Sequence, residues 1–113
     1  MTQVEFDREK DFVVRASGEI DLSNVAQLTE VLKSAAGTTL QGIVLDLSAV
    51  QYMDSSAVHT ILASYRHLRQ QGRKMVLVAG NPSIKSIVSA LRLDLLPDLV
   101  IANDSASAES AVR

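Results

Sequence analysis

The sequence predicts one α/β domain, spanning residues 1–113, in which a mixed β-sheet packs against helices. Two short runs of consecutive apolar residues, 43–47 and 75–79, are typical of strands that are buried on both faces of a parallel sheet. After each run, apolar residues recur at the three- and four-residue spacing of an amphipathic helix. A chain of 113 residues, 47% of them hydrophobic and 21% charged, can bury a core of its own as a soluble globular protein.

The N-terminal segment predicts an antiparallel hairpin at the edge of the sheet. Val4 and Phe6 alternate with polar neighbours, and a second extended stretch follows around residues 12–16. The charged residues 7–11 between these stretches are typical of a solvated turn. Residues 18–21 would then lead out of the second strand. The exposed edge of such a hairpin permits weak self-association of the chain into a homodimer.

A first helix is predicted after Asp21. Ser23 or Asn24 can accept hydrogen bonds from the unpaired N–H groups of its first turn. Gly37 would end this helix, because glycine readily adopts the left-handed conformation found just past helix ends. The apolar stripe of the helix consists of Val25, Leu28, Leu32 and Ala35.

The apolar run at residues 43–47 is predicted to form a central strand, which a short loop joins to a second helix. Tyr52 and Met53 lie in this loop and are expected to pack in the core or against the loop. The helix is predicted to end near Gly72. Cations at its C-terminal end complement the helix dipole and cap carbonyls, as a solvated end that could also form the rim of a partner surface. The apolar face consists of Val58, Ile61, Leu62, Tyr65 and Leu68, and the basic cluster of Arg66, Arg69, Arg73 and Lys74.

The C-terminal third continues the alternation of strands and helices. The run 75–79 predicts a second buried strand, and Asn81 followed by Pro82 predicts a helix start, because proline at the first helical position lacks only an N–H that would be unpaired anyway. Residues 99–101 predict a last strand, and Asn103 or Asp104 would cap a short final helix. Alternation of this kind implies right-handed crossovers that place helices against the sheet.

The joint between the central strand and the second helix carries Asp54, Ser55 and Ser56. All three residue types accept hydrogen bonds from the N–H groups of a first helical turn, so a plain N-cap explains them. The same position offers two hydroxyls where a helix dipole favours an anion, so a phosphate-bearing site is the second interpretation. Sites in open sheets gather outside the carboxyl ends of parallel strands, where this joint is expected to lie.

Several classes of function are disfavoured by composition. The net charge of -2 gives no basic face for direct nucleic-acid binding. The charged N-terminus lacks the apolar core of a signal peptide, and no apolar run approaches the length that spans a membrane. We therefore expect a cytosolic protein with no membrane contact. Neither glycine-rich nucleotide-binding motif is present, and we expect no cofactor.

Metal and enzyme chemistry are weak alternatives. His59 and His67 are eight residues apart, a spacing that does not direct both to one metal ion. The carboxylates of Asp21, Asp46 and Asp54 could converge, but their spacing is not that of a cation site, and Asp46 is expected to face a neighbouring loop or cap. His59 could also reach the Ser56 hydroxyl from one turn along the helix, as a serine hydrolase would require. No nucleophile elbow or oxyanion donor supports that reading, and we predict a non-enzyme.

Three segments together resemble the STAS domain of bacterial anti-sigma-factor antagonists. They are Gly18-Glu19-Ile20-Asp21, then Ile43-Val44-Leu45-Asp46-Leu47, then Met53-Asp54-Ser55-Ser56 before an apolar helix. The resemblance covers nearly the whole chain. It implies that Ser56 is phosphorylated by an anti-sigma factor that is itself an ATP-dependent serine kinase. It also implies a partner-binding surface that comprises Asp21, Asp54, Ser55, Ser56, Ala57 and His59.

The resemblance implies a partner switch in which the unphosphorylated chain binds the anti-sigma factor, frees a sigma factor, and is released on phosphorylation. The chain departs from the family at three positions where glycine is common: Ala57, His59 and Arg92. Side chains at the first two positions would occupy space that a kinase backbone could otherwise approach. They leave open an alternative, a STAS accessory subunit that binds the ATPase of a phospholipid transporter without being phosphorylated.

Overall fold

The computed structural model of the chain describes residues 2–7 and 10–112. The strands in this part of the chain are β1 (Gln3–Phe6), β2 (Val13–Ile20), β3 (Ile43–Met53), β4 (Met75–Val78) and β5 (Leu99–Ala102). The helices are α1 (Val25–Thr38), α2 (Ser55–Gln70), α3 (Pro82–Leu91) and α4 (Ser105–Ala111), with a 3₁₀ turn at Leu93–Leu95. The predicted order of strands and helices is confirmed, and the 3₁₀ turn was not predicted.

The strands form one mixed sheet in the order β1-β2-β3-β4-β5. β1 runs antiparallel to β2, and the remaining neighbours are parallel, which confirms the predicted hairpin and the predicted parallel strands. The charged hairpin turn was predicted at residues 7–11, of which residues 8 and 9 lie outside the described residues. Arg15 on β2 pairs with Asp7 at the beginning of this turn.

The two central apolar runs are buried on both faces, as predicted. Ile43, Leu45 and Leu47 point into a core shared with α1, α2 and α3, and Val44 points into a second core beneath α4. The side chains of β4 alternate between the same two cores, and all of them are buried. Because a strand alternates its side chains between faces, both faces must be apolar when helices cover both. This requirement explains the continuous apolar runs.

The predicted ends of β2 and β3 are wrong, because both strands run further. β2 continues through residues 18–20, and β3 continues to Met53 without the predicted loop. Two register shifts between these strands each insert one extra residue in β3. The buried positions of β3 beyond its centre are therefore Leu47, Val50 and Met53, three residues apart. A spacing of three differs from the two-residue alternation of apolar and polar side chains that identifies a strand in a sequence, so this part of β3 was not recognised. Tyr52, expected to pack, is 52% exposed on the extended strand.

The ends of α1 also differ from prediction. Asn24 holds the N-cap position but makes no side-chain cap; its Oδ1 instead accepts from the Asp21 N–H at 3.0 Å, and its Nδ2 donates to the Glu19 carbonyl at 2.9 Å. The amide therefore fixes the loop that precedes the helix. Gly37 does not end α1, which continues to Thr38.

The caps of α3 and α4 are confirmed. Asn81 Oδ1 accepts from the Ile84 N–H at 2.9 Å, and Asp104, rather than Asn103, accepts from the Ser107 N–H at 2.8 Å. Arg92 ends α3 in the left-handed region, with φ 55° and ψ 39°. Glycine adopts this conformation without steric cost, which gives a physical reason for glycine at the matching position of the family described above.

The side chain of Arg73 binds backbone carbonyls of another segment and does not belong to a solvated cluster. Its guanidinium donates to the carbonyls of Ala36 at 3.1 Å, Thr39 at 2.8 Å and Gln41 at 2.8 Å. These carbonyls belong to the end of α1 and the connection to β3. The interaction satisfies backbone acceptors where a helix leaves its last carbonyls unpaired. The basic residue therefore joins two segments that are distant in sequence.

We expect alanine substitutions at Gly42 and Gly37 to change the free energy of unfolding in opposite directions. A Cβ at Gly42 would lie 2.3 Å from the Lys74 carbonyl oxygen, whereas a Cβ at Gly37 would meet no atom within 4 Å. We expect Gly42→Ala to lower the free energy of unfolding by about 3 kcal/mol, because the backbone must move apart. We expect Gly37→Ala to raise it by about 0.5–1 kcal/mol, because alanine loses less entropy in a helix. Urea denaturation of both variants measures this, and equal stabilities would contradict the close approach at Gly42.

Candidate functional site

The carboxylate of Asp54 organises the joint between β3 and α2. One oxygen, Oδ1, accepts from the backbone N–H groups of Ser56 at 2.9 Å and Ala57 at 3.2 Å, which confirms the predicted N-cap. The other oxygen, Oδ2, accepts from the Leu22 N–H at 3.1 Å. Leu22 lies in the connection between β2 and α1. The carboxylate therefore begins one helix and holds the entry to another.

The hydroxyl of Ser56 is also bound to this carboxylate. It donates to Asp54 Oδ1 at 2.5 Å, and the side chain is half-buried. Ser55, the first helical residue, is exposed. The two hydroxyls thus differ. That of Ser55 is exposed to solvent, and that of Ser56 is oriented by a charged acceptor. An oxygen held in this way keeps its lone pairs free for a reacting group that approaches the helix N-terminus.

The hydrogen bonds of the joint lower the pKa of Asp54. The Ser56 hydroxyl contributes most, and the N–H groups of Ala57, Leu22 and Ser56 add to it against the cost of desolvation. Each of these donors favours the charged carboxylate over the acid. The joint is therefore anionic at neutral pH, although all its donors are uncharged.

Asp21 lies beside the joint but its side chain serves the neighbouring loop. Its Oδ1 accepts from the Ser23 N–H at 2.9 Å and from the Ser23 hydroxyl at 2.5 Å. The link between the two segments runs through the backbone, where the Asp54 N–H donates to the Ile20 carbonyl at 3.1 Å. Asp21 thus shapes the loop that presents Leu22, and the structure brings it close to Asp54 without a direct contact between their carboxylates.

Two apolar side chains at this end were missed from the sequence. Leu22 is 77% exposed and Tyr52 is 52% exposed. Leu22 is held by the Asp54 carboxylate, and Tyr52 lies two residues before Asp54 on β3. Exposed apolar side chains at one end of a sheet can contribute to a protein contact surface. The sequence feature that could have indicated this surface is the apolar residue Leu22 within an otherwise polar loop before a helix.

The prediction that Ala57 contacts a partner is wrong for its side chain. Ala57 is 0% exposed, and its methyl group belongs to the main core. It therefore does not occupy the space outside the joint. His59, in contrast, is exposed one turn along α2. Of the two departures that lie within α2, Ala57 and His59, only the histidine changes the surface.

Two grooves flank α2, and His59 lines both. The α1–α2 groove, between those helices, has a volume of about 710 Å³. The α2–α3 groove, on the other side of α2, has a volume of about 720 Å³ and includes Asp54 and Ser55 at one end. The α2–α3 groove therefore reaches the joint itself, whereas His59 lies between the joint and the α1–α2 groove.

Neither the metal nor the hydrolase arrangement forms. Ser56 gives its hydroxyl hydrogen to Asp54, so His59 does not receive it. Asp46 accepts from the Ser105 hydroxyl at 3.2 Å, at the start of α4, and does not join the other carboxylates. Among residues 2–7 and 10–112, no group of three or more His, Asp or Glu side chains is arranged to hold a metal ion. In the same part of the chain, no helix is both long and apolar enough to cross a bilayer.

Comparisons with known proteins find both related sequences and related structures. A family model for the STAS domain matches residues 3–108. The anti-sigma F factor antagonist of Paenibacillus polymyxa is 29% identical over 89 residues, which cover 76% of this chain and 75% of that protein. The curated relative is thus matched over most of its length.

Solved structures share the fold. An anti-sigma factor antagonist from Mycobacterium paratuberculosis superimposes with a TM-score of 0.80 at 27% identity, over 100% of this chain and 93% of that one. The Bacillus cell fate determinant SpoIIAA in its phosphorylated form gives a TM-score of 0.69 at 22% identity and covers 100% of both chains. At that identity the second likeness concerns the fold alone.

The Asp54 carboxylate predicts a specific dependence of stability on pH. Because its pKa is lowered in the folded protein, it stabilises the fold above the ordinary aspartate pKa of about 3.9, and this contribution is lost as the pH falls through the lowered value. We expect Asp54→Asn to lower the free energy of unfolding at neutral pH. The difference in free energy of unfolding between the variant and wild type should become smaller in acid, where Asp54 is protonated. Urea denaturation at several pH values measures it.

A matched control is Asp104→Asn, which removes another capping carboxylate whose pKa is lowered, in this case by the Ser107 N–H. Only Asp54→Asn should also reduce the hydrogen-exchange protection of the Leu22 amide, because asparagine has one acceptor oxygen where two are used. Unchanged protection at Leu22 would show that the carboxylate does not hold the loop.

Proposed function

We propose that this chain, which belongs to the STAS domain family, is an anti-sigma factor antagonist whose binding is switched by phosphorylation of Ser56. Unmodified, it binds an anti-sigma factor of the serine-kinase type and so frees a sigma factor. Phosphorylation of Ser56 ends the binding. The observation that carries the proposal is the Ser56 hydroxyl, which lies at the N-terminus of α2 and donates to the Asp54 carboxylate. A cytoplasmic location follows, because sigma factors act there.

The joint suits a kinase substrate for a geometric reason. The carboxylate of Asp54 accepts the hydroxyl hydrogen, so the lone pairs of Ser56 Oγ are left for attack on the γ-phosphorus of a bound ATP. The new O–P bond forms as the bond to ADP breaks, and Asp54 is placed to take the hydroxyl proton. The resulting phosphate would lie at the N-terminus of α2, where the helix dipole favours an anion. Modification is thus compatible with the fold.

The switch is electrostatic. Phosphorylation adds about -1.5 to -2 charges beside an ionised Asp54. The sequence between Gly42 and Tyr65 contains no lysine or arginine that could pair with it. A partner surface that covers the neutral hydroxyl would have to bury an unpaired charge after modification. That change costs about 3 kcal/mol or more, which corresponds to over a hundredfold in affinity.

The proposed partner surface is the exposed end of the joint. It comprises Asp21, Asp54, Ser55, Ser56 and His59, together with the exposed side chains of Leu22 and Tyr52. The buried position of Ala57 supports this proposal, because a methyl group in the core does not obstruct a partner. Curated relatives of this chain are named anti-sigma factor antagonists, which favours this function over the transporter alternative.

Phosphorylation of Ser56 can be tested by intact mass. We expect wild type to gain one phosphoryl group when incubated with ATP and a lysate of the native host in the presence of phosphatase inhibitors. Ser56→Ala should gain none, because the acceptor oxygen is gone. The purified kinase should then bind wild type and release the phosphorylated form.

The control is Ser55→Ala, which removes the exposed neighbouring hydroxyl and should still be phosphorylated. A gain on Ser56→Ala that disappears in Ser55→Ala would move the switch to the other serine. No gain on any of the three proteins would overturn the proposed regulation and favour an adaptor that binds its partner constitutively.

A further inference from the structure

The α1–α2 groove has the size and composition of a small-molecule site. Its volume of about 710 Å³ lies within the range of roughly 300–1,000 Å³ that is typical of ligand pockets. Leu32 and Ala36 from α1 and Ala63 from α2 contribute apolar surface to it. It lies away from the Ser56 hydroxyl, which does not line it. Apart from His59, the residues that line the groove play no part in the proposed function.

A glycine keeps this groove open. Gly37 lies within α1, where glycine is unfavourable by about 0.5–1 kcal/mol relative to alanine. Its φ is not positive, and an added Cβ would meet no atom within 4 Å, so neither backbone conformation nor packing requires it. Gly37 lines the groove. Any side chain here would reduce the space available to a ligand.

The charges of the groove favour an anion. Lys33 carries a fixed positive charge at its wall, and His59 and His67 add imidazole N–H donors. The two histidines are eight residues apart, or about 12 Å along the helix. None of the described residues that line the groove is acidic. The chain as a whole has a net charge of -2, so this sign is a local property of the groove.

We propose that the α1–α2 groove binds a small organic anion with an apolar body, of the class of an alkyl carboxylate. The apolar body contacts Leu32, Ala36 and Ala63. The anionic head accepts hydrogen bonds from Lys33 and from a histidine. A site of this kind combines mostly apolar walls with a few polar groups that fix the orientation of the ligand. It does not depend on phosphorylation of Ser56.

The first test compares three probes that share an apolar body and differ in their heads. Decanoate, decanol and decyltrimethylammonium are titrated into the ¹⁵N-labelled chain below their micelle-forming concentrations, and amide shifts are followed by NMR. We expect saturable decanoate binding with shifts centred on α1 and α2. Decanol should bind at least about tenfold more weakly, because it lacks the charge-assisted hydrogen bonds. The cationic probe should not bind.

Variants then locate the site. Ala63→Leu should block decanoate binding by filling the groove, and Lys33→Glu should abolish it by reversing the charge; both positions are exposed. Ala106→Leu and Lys85→Glu, which make the same changes at exposed positions outside the groove, should bind as wild type does. Gly37→Ala should bind decanoate more weakly while it unfolds at higher urea concentration, a combination that loss of structure cannot produce.

Three results would overturn the proposal. Equal affinity for decanoate and decanol would show an apolar surface without anion recognition, such as one that a protein covers. Unchanged binding in Ala63→Leu would place the ligand elsewhere. The absence of saturable decanoate binding would remove the site. None of these results bears on the mass gain at Ser56, so the two proposals can fail separately.

Discussion

The candidate site depends on a single carboxylate that accepts four hydrogen bonds. Asp54 receives the N–H groups of Leu22, Ser56 and Ala57 and the hydroxyl of Ser56. Three segments meet through it: the end of β3, the first turn of α2 and the connection from β2 to α1. Oδ1 receives three of these bonds and Oδ2 receives one, so both oxygens of the carboxylate are engaged. The same contacts that begin a helix therefore also orient the hydroxyl that we propose as the phosphoacceptor.

The position of this carboxylate follows from the unequal lengths of the strands. β4 ends at Val78, whereas β3 continues to Met53 and there pairs only with β2. The side of β3 that β4 leaves open is closed by Asn81, whose Nδ2 lies 3.1, 3.1 and 2.9 Å from the carbonyl oxygens of residues 47, 48 and 50. Asn81 also caps α3, so one side chain both stabilises the projecting strand and begins the next helix. The joint therefore lies at the projecting end of β3, beyond its pairing with β4, and Leu22 and Tyr52 are exposed there.

Many interactions between residues close in sequence were predictable, although both ends of α1 were not, and several interactions between distant residues were missed. The caps at Asp54 and Asn81 and the buried runs of β3 and β4 follow from local residue type and spacing. The extension of β3 does not, because two register shifts against β2 replace the two-residue alternation with a spacing of three. Arg73 appeared as one of four helix-end cations, but the three backbone carbonyls to which it donates lie over thirty residues away in sequence. Ala57 was assigned to the surface by family position, although it lies four residues before Ile61 on the apolar stripe of α2, and its side chain faces the core.

His59 connects the two proposals, because it is the exposed residue nearest the joint that also lines the α1–α2 groove. A partner that covers the first turns of α2 would contact this side chain, and so would an anion bound in the groove. Two ligands that share a contact have linked binding free energies, and the linkage is reciprocal: whatever the anion does to partner affinity, the partner does to anion affinity. A competing anion would lower partner affinity without changing the phosphorylation state of Ser56. The glycine common at this position in the family has no side chain through which such linkage could act, so the histidine is the departure that adds chemistry to the surface.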